Sequence, residues 1–482
     1  MKLCDVLRDI EIKEITGNTD FNISGIAFNS NEVKAGYVFV CIKGFNVDGH
    51  DFAKAAIEKG AVAIIAEYKP EDVAANMIIV ENSRLALAKI SAAFYDFPYK
   101  KFKLIGITGT NGKTTTTYLV KSVLESKGFK VGLIGTNQNM IGDTVIPSHH
   151  TTPDSLELMK LFKKMADEEV QYVVMEVSSH SLDLDRVAGC EFSVAAITNV
   201  TQDHLDFHKT MENYVAAKAK LFSMCQYGAV NKDDASEKVM RENSKFKCLS
   251  YGLINDADIK EENVEMDSKG VYFDVCYDGL KQHIELSIPG KFSVYNALTA
   301  ISCLVCLKIS LSEIADGLKA ARGVKGRAEV VPTPTDYTVI IDYAHTPDGL
   351  FNIINTIRGF AKGRVVTLFG CGGDRDKTKR PRMGEIAGKL SDYCIVTSDN
   401  PRTEDAKSII NDILEGISKT SCEYTVVENR FDAIEYALDH ARKDDIILLA
   451  GKGHETYQIL NGRTIVFDER EIVTKLLQDS RK

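Results

Sequence analysis

The run Ile105–Gly106–Ile107–Thr108–Gly109–Thr110–Asn111–Gly112–Lys113–Thr114–Thr115 carries the plainest chemistry in the chain. A glycine-rich turn that ends in Lys-Thr-Thr and opens a helix wraps backbone N–H groups around phosphate oxygens. Its lysine reaches the β- and γ-phosphates, and its hydroxyl can ligate Mg²⁺ at the helix N-terminus. The spacing departs from the plain GxxxxGK[ST] pattern: position 107 is Ile, and glycines fall at 106 and 109 instead. Such a site needs an acidic group near the metal, and the apolar run Tyr172–Val173–Val174–Met175 ends in Glu176, the Mg²⁺ candidate. A polar segment, Val177–Ser178–Ser179–His180–Ser181–Leu182, follows it. Further on, Asp203, His204, Asp206 and His208 offer nitrogen and oxygen ligands within six residues. A closed zinc site needs four ligands in tetrahedral spacing, and no second cluster matches. One of these histidines is therefore read as a ligand to a catalytic Mg²⁺, with a structural role for His208 equally open. On their residues alone, Lys218 and Lys220 read as solvated lysines on a helix.

The elements that must position these groups follow from hydrophobic patterning. The strand Lys103–Thr108, the glycine-rich turn and a helix from Lys113 have the order of a phosphate-binding βα unit. Strands are expected at Val131–Ile134, Tyr172–Glu176 and Val194–Thr198, separated by helical patterns, which predicts a mostly parallel sheet covered by helices. Before this unit, strands at Gly36–Ile42, Ala61–Ala66 and Met77–Val80 alternate with helices at Phe52–Lys59 and Ser83–Tyr95. They make a small α/β domain ending near Asp96–Phe97–Pro98.

After Pro332 and Pro334 a third unit shows apolar strands at Thr338–Ile341, Arg364–Phe369, Tyr393–Thr397 and Asp445–Ala450. The loops DYAHTPDG (342–349), GCGGDRDK (370–377), SDNPRTED (398–405) and GKGHE (451–455) follow them. In a parallel sheet these loops gather at the carboxyl edge, where ligands bind. Turn chemistry explains some of their residues; Arg375, Asp399, Arg402 and Glu455 are not turn formers. The expected fold is thus α/β in three domains: 1–98, a central domain at 99–329 with the phosphate loop and a mostly parallel sheet, and a third at 330–482 whose loops gather at one sheet edge.

Composition narrows the function classes. The 482 residues suffice for two or three domains. Fifty-nine Lys and Arg against 68 Asp and Glu give −9 with no long run of either sign, so no footprint for nucleic acid or an anionic membrane is expected. Eleven scattered Cys without CxxC pairs fit reduced thiols rather than a disulfide framework. The start MKLCDVLRDIEIKE lacks a signal-peptide pattern and no apolar run reaches membrane-spanning length, so a cytoplasmic chain without membrane insertion is expected.

Eleven segments together resemble the Mur ligases, the ATP-dependent amino-acid-adding enzymes of peptidoglycan precursor synthesis. They are GTNGKTT (109–115), HTTPD (150–154), MEVSSHSL (175–182), TNVTQDHLDFH (198–208), AAKAKLF (216–222), PGKFSVYNALTA (289–300), GVKGRAE (323–329), DYAHTPD (342–348), GDRDK (373–377), DNPRTE (399–404) and GKGHETYQ (451–458), in family order across nearly the whole chain. DNPR at 399–402 is the specific part. It resembles the members that add meso-2,6-diaminopimelate to UDP-N-acetylmuramoyl-L-alanyl-D-glutamate, whereas lysine-adding members usually carry other residues there.

The resemblance implies that 1–98 binds the UDP end of the substrate, that 99–329 is a central P-loop ATPase domain and that 330–482 is a Rossmann-like domain for the amino acid. It implies an acyl-phosphate mechanism with ATP and Mg²⁺, small-molecule substrates, no nucleic-acid partner, and a monomer. It assigns ATP to Gly109, Thr110, Asn111, Gly112, Lys113, Thr114, Thr115, Asn296, Arg327 and Asp342. It assigns Mg²⁺ to Thr114, Glu176, His204 and a carbamylated Lys218, so that Lys113, Glu176, His204 and Lys218 are the catalytic set. It assigns the nucleotide dipeptide to Ser30, Thr151, Thr152, Ser178 and Arg186, and the amino acid to Arg375, Asp399, Asn400, Pro401, Arg402, Gly451 and Glu455. Arg327 and Asp342 flank the junction of the second and third domains, which makes closure of the third domain part of assembling the ATP site. His345 is open between a base and a helix cap. Diaminopimelate carries one more carboxylate than lysine, and a guanidinium pairs with a carboxylate through two N–H bonds, which makes Arg402 the selectivity candidate. The alternative for Arg402 is a bond to its own loop through Glu404 or Asp405. A lysine-adding member, a folylpolyglutamate synthetase-like ligase and a P-loop ATPase acting as a conformational switch are the competing functions.

Overall fold

The computed structural model describes residues 1–71, 73–148, 150–267, 269–460 and 462–479. The chain packs as two compact units, Met1–Ile259 with Thr299–Ile314, and Lys260–Leu298 with Ala315–Lys482.

The first unit opens on a five-stranded sheet in the order Ile12–Thr16, Asn76–Val80, Ala61–Ala66, Tyr37–Val40, Gly25–Ala27. The first strand is antiparallel and the rest are parallel. Val38, Val40, Ala63, Ile65, Ile78 and Val80 point alternately to one face and pack on the helix Ser83–Phe94, as the two-residue period of a strand requires. Asn82 caps that helix, its side chain accepting from the N–H groups of Arg84 and Leu85. The strands Ile12–Thr16 and Gly25–Ala27 add to those expected from patterning: the first is almost wholly exposed and the second has three residues, so neither leaves a hydrophobic run.

The same unit then builds a second sheet, in which Cys248–Gly252, Cys225–Asn231, Phe192–Ile197, Lys103–Thr108, Tyr172–Glu176 and Val131–Ile134 run parallel. Asn139–Ile141 and Thr144–Ile146 extend it as an antiparallel hairpin. Lys103–Thr108 lies between Phe192–Ile197 and Tyr172–Glu176. The phosphate loop therefore leaves the sheet beside the polar segments that follow both neighbours. Tyr172–Glu176 is buried along its whole length, which is why it reads as an unbroken apolar run ending in one acid.

The second unit holds a three-stranded antiparallel meander, Ile259–Met266, Val271–Tyr277 and Leu280–Leu286, whose last turn is Asp278-Gly279 with both φ angles positive. Its main sheet runs Glu329–Val331, Thr338–Asp342, Ile446–Ala450, Val365–Phe369, Tyr393–Val396, Glu423–Val426, parallel except for the first strand. Both faces are covered. Cys394 and Val396 face the helices Pro347–Arg358, Lys379–Leu390 and Ala406–Ile417, while Tyr393 and Ile395 face Arg430–Asp439 and Glu469–Asp479. This doubly wound arrangement sends the four polar loops from its strands to one carboxyl edge. A small hairpin, Tyr457–Leu460 with Arg463–Val466, follows GKGHE. Among the described residues no helix is long and apolar enough to cross a membrane.

Candidate active site

In the first unit the helix Lys113–Ser126 starts directly after Gly112, whose φ of +85° is left-handed. Gly109 has φ +141°, and a Cβ there would come within 1.9 Å of Thr198 Oγ1, so no side chain fits. Gly106 differs. A Cβ on it would strike the Phe192 ring at 2.7 Å, so this glycine serves sheet packing and not phosphate approach. The loop is pinned to the segment after the next strand. Thr198 Oγ1 donates to the Asn111 carbonyl (2.6 Å), Asn111 N–H donates to Asn199 Oδ1 (3.1 Å), and Thr110 Oγ1 bonds both the Thr201 carbonyl (3.1 Å) and the Tyr214 hydroxyl (3.1 Å). Thr114 and Thr115 are buried in the first turn of the helix.

Lys113 Nζ donates to the carbonyls of Gly109 (2.9 Å) and Thr110 (2.8 Å), and Lys218 Nζ donates to the same Gly109 carbonyl (2.9 Å). Lys218 is not a solvated helix lysine. It is 1% exposed and lies 4.3 Å from the centre of the Tyr214 ring. Burial pushes its ammonium down to about 6, the nearby Lys113 adds to the effect, and Asp203 opposes it. Two amines converging on one carbonyl leave the loop short of negative charge, which suits a polyphosphate.

Glu176 is 1% exposed; its Oε1 accepts from Thr136 N–H (2.9 Å) and its Oε2 from Thr136 Oγ1 (3.0 Å). Thr136 Oγ1 also meets Thr151 Oγ1 at 3.0 Å. Thr152 Oγ1 donates to the Glu176 carbonyl (2.9 Å) and accepts from Ser178 N–H (3.1 Å), and Arg186 donates to the Thr152 carbonyl (2.9 Å) while pairing with Asp154 (3.0 Å). Thr151, Thr152, Glu176, Ser178 and Arg186 thus form one connected network. His204 is exposed with φ +52°, 3.5 Å from Asp203 and with its ring 4.8 Å from that of His180. His208 is buried, with Nε2 3.0 Å from Ser179 Oγ. The side chain of Asp206 lies outside what is described. Among the described residues no three His, Cys, Asp or Glu side chains are arranged as a metal cage. A hydroxyl on Thr114 and a carboxylate on Glu176 instead fit Mg²⁺, a hard cation usually held by one or two protein oxygens plus phosphate. Ser30 is half-buried, and its carbonyl accepts from Lys59 Nζ (3.0 Å).

The second unit holds a separate constellation. Asp342 accepts from the N–H groups of Ala328 (2.7 Å) and Ala344 (2.8 Å), while withdrawal from solvent raises its carboxyl above the usual carboxylate range. Arg327 lies 5.3 Å from the Tyr343 ring centre, and among the described residues its buried Nε has no hydrogen-bond partner. Asn296 is buried. His345 does not cap the next helix: Thr346 does, its Oγ1 accepting from Gly349 N–H, while His345 Nδ1 meets the Tyr343 carbonyl at 2.8 Å.

At the carboxyl edge, Gly451 has φ +113°, and a Cβ on it would stand 2.6 Å from Asp399 Oδ2. Asn400 Nδ2 donates to Glu455 Oε2 at 2.9 Å. Arg402, with φ +55°, donates from Nη1 to the Gly373 carbonyl (2.7 Å), and among the described residues it pairs with no carboxylate. The tether through Glu404 or Asp405 is therefore absent. Glu404 takes the buried Arg380 (2.9 Å) and Lys377 (3.2 Å), which hold its carboxyl down at about 2, and Asp405 caps the helix Ala406–Ile417 through Ser408 N–H. Pro401 is buried with its carbonyl packed on Gly373, and Arg375 is exposed.

Three segments match family models: residues 22–95 the Mur ligase family catalytic domain, 107–304 the Mur ligase middle domain, and 326–453 the Mur ligase glutamate ligase domain. The chain is 51% identical to the UDP-N-acetylmuramoyl-L-alanyl-D-glutamate–2,6-diaminopimelate ligase of Caldanaerobacter subterraneus subsp. tengcongensis, with 100% of both chains covered. This chain belongs to the Mur ligase family. A solved diaminopimelate ligase of the same name superposes on this Mur ligase with TM-score 0.78 at 29% identity, covering 100% and 99% of the two chains. The MurF ligase from Thermotoga maritima, solved in complex with ADP, shares the fold at TM-score 0.60 and 19% identity, over 95% and 98% of the chains.

Sequence reasoning missed several residues of this Mur ligase. Thr136 holds both oxygens of Glu176. Arg84 donates to the Lys43 carbonyl (2.9 Å); burial pushes its guanidinium down, Asp154 opposes this, and Arg186 adds to it. Arg380 and Lys452 are buried charges, 1% and 0% exposed. A charged residue in a loop or on a helix reads as solvated unless its partners are known, and apart from Glu455, three positions from Lys452, these partners lie far along the chain. Only Lys452, flanked by two glycines inside GKGHE, carried a local signal.

Proposed function

We infer that this chain joins an amino group of meso-2,6-diaminopimelate to the free carboxylate of UDP-N-acetylmuramoyl-L-alanyl-D-glutamate, converting ATP to ADP and phosphate, in peptidoglycan precursor synthesis. The observation that carries this reading is the full-length identity of 51% with a ligase of that name. The carboxylate takes the γ-phosphate to give an acyl phosphate, and the amine displaces phosphate from it. Phosphoryl transfer asks little covalent chemistry of a protein, so alignment and charge neutralisation dominate.

We assign residues 1–98 to the UDP end of the substrate, with Ser30, 99–329 to ATP, and 330–482 to the amino acid. The backbone of 109–115 and Lys113 hold the phosphates, with Asn296, Arg327 and Asp342 on the rest of ATP. Thr151, Thr152, Ser178 and Arg186 hold the nucleotide dipeptide. Thr114, Glu176 and His204 would hold Mg²⁺, which supplies charge neutralisation at the phosphates when bound. Lys218 is the carbamate site: its amine, neutral above about pH 6, adds CO₂ and releases a proton, turning a buried neutral group into an anion that fits a metal-bearing site. Arg375, Asp399, Asn400, Pro401, Arg402, Gly451 and Glu455 hold the amino acid, Asp399 and Glu455 pairing with ammonium groups and Arg402 with the distal carboxylate. The reading includes a cytoplasmic monomer without nucleic-acid or membrane partners.

The test is trapping. With ATP, Mg²⁺, the nucleotide dipeptide and hydroxylamine in place of the amino acid, a hydroxamate of the dipeptide is expected by mass. ADP formation that needs neither dipeptide nor amine would overturn the ligase reading in favour of a conformational switch.

A further inference from the structure

We propose that Lys452 is a positioning residue for the incoming amino acid, a fully buried cation that sets Glu455 and Asn400 in the arrangement that presents a carboxylate oxygen to a substrate ammonium. The inference rests on the reading of 398–405 and 451–455 as the amino-acid site.

Lys452 is 0% exposed, and its Nζ reaches Glu455 Oε2 at 3.0 Å and Asn400 Oδ1 at 3.3 Å. The Asn400 amide can face only one way, because Ile459 N–H, a donor by necessity, reaches its Oδ1 at 2.9 Å. Its Nδ2 is thereby turned to Glu455 Oε2, at 2.9 Å. One oxygen of Glu455 therefore receives two donors from the protein. The other, Oε1, has no hydrogen bond among the described residues. The rings of Tyr457 and Phe467, with centres 5.7 and 5.9 Å from Nζ, flank the ammonium.

Folding alone gives little reason for this lysine. A buried ion pair often contributes no more to stability than apolar residues of the same volume, because both charges must be desolvated. Its specific product is orientation. Asn400 and Glu455 lie in loops 55 positions apart, and Lys452 bonds both. Gly451 before it is the residue whose missing Cβ leaves room for Asp399. The buried ammonium thus coordinates the two loops that carry both acids assigned to the substrate.

Lys452 acts through Glu455, so its removal should weaken the ammonium contact common to diaminopimelate and L-lysine, unlike removal of Arg402. Steady-state kinetics of the full-length enzyme test this with Lys452→Met, Glu455→Gln and the double variant. Lys452→Met should raise KM for both amino acids about tenfold to a hundredfold, leaving KM for ATP unchanged and kcat within about threefold. The double variant should be no worse than Glu455→Gln, because the lysine has then lost the group it orients. Multiplied losses in the double variant would overturn the proposal, as would a lowered melting temperature with unchanged amino-acid KM in Lys452→Met. Should Lys452→Met fail to fold, the double variant, which buries no lone charge, decides alone: matching Glu455→Gln supports the proposal, and a further tenfold loss overturns it. A wild type that ligates neither amino acid overturns the underlying reading and this inference with it, whereas an active wild type with an unaffected Lys452→Met overturns this inference only.

Discussion

The phosphate loop and the 399–402/451–455 cluster are both polar sites at the carboxyl edge of a parallel sheet, yet they are built from different material. The first is mostly backbone: two glycines with positive φ, a helix N-terminus, and lysines that donate to carbonyls of the loop itself. The second is made of side chains from loops far apart in sequence, oriented by buried charges such as Lys452 and Arg380. A phosphate looks the same on every nucleotide, so backbone N–H groups suffice to bind it. Discriminating one amino acid from another needs charges in a fixed geometry, and only side chains supply those.

The largest effect should come from the lysine that the backbone-built loop uses for charge. Lys113→Ala is expected to lower kcat/KM by on the order of 10³ or more, with an unchanged melting curve. Near wild-type turnover would break the comparison at its first member.

Next comes Lys218. Lys218→Ala should lose about 10² in turnover and regain part of it with a short exogenous carboxylate. Its pH behaviour has a definite sign. The folded-state value of about 6 lies below the ordinary 10.5, so between these pH values the unfolded chain binds more protons and stability rises with pH. Lys218→Met should flatten that slope in pH-dependent denaturant melts. Bicarbonate-dependent activity should fall as pH drops through about 6, where the amine becomes an ammonium that cannot add CO₂. An unmodified ammonium in active, bicarbonate-equilibrated enzyme would refute carbamylation.

The third test concerns selectivity. A charged hydrogen bond contributes about 1.5–3 kcal/mol, so Arg402→Ala should cut kcat/KM for diaminopimelate roughly tenfold to a hundredfold and leave lysine nearly unaffected. Arg402→Lys should recover only part of the loss, since a point charge lacks the two-pronged geometry. Equal losses for both amino acids would assign Arg402 to loop support.

The smallest effect is expected at Gly451→Ala. The positive φ and the 2.6 Å approach to Asp399 should raise the amino-acid KM severalfold and lower stability by about 1–2 kcal/mol. A neutral outcome would mean that Asp399 has room to move and is not held for a ligand.

The same contrast explains what the sequence showed. Strands such as Lys103–Thr108, Tyr172–Glu176 and Val131–Ile134 were legible to the residue, because fully buried parallel strands are unbroken apolar runs. The exposed strand Ile12–Thr16 and the short Gly25–Ala27 left no such trace. The phosphate loop was legible because its glycines and lysine are contiguous, although Gly106 looked like part of it and belongs to the core. Lys218 looked like a solvated residue because its burial depends on Tyr214 and the Gly109 carbonyl. In the second unit the four loops could be placed at one edge, but which charge pairs with which could not. Arg402 meets a carbonyl 29 positions away, while Glu404, its near neighbour, turns to Arg380.

The most direct measurement of the central claim, that the second unit selects a diamino dicarboxylate, is a mass-detected ligation with diaminopimelate and L-lysine supplied together at equal concentration. The diaminopimelate adduct should dominate, with one ADP formed per product. A lysine adduct in equal or greater amount, or ADP without either product, would contradict it.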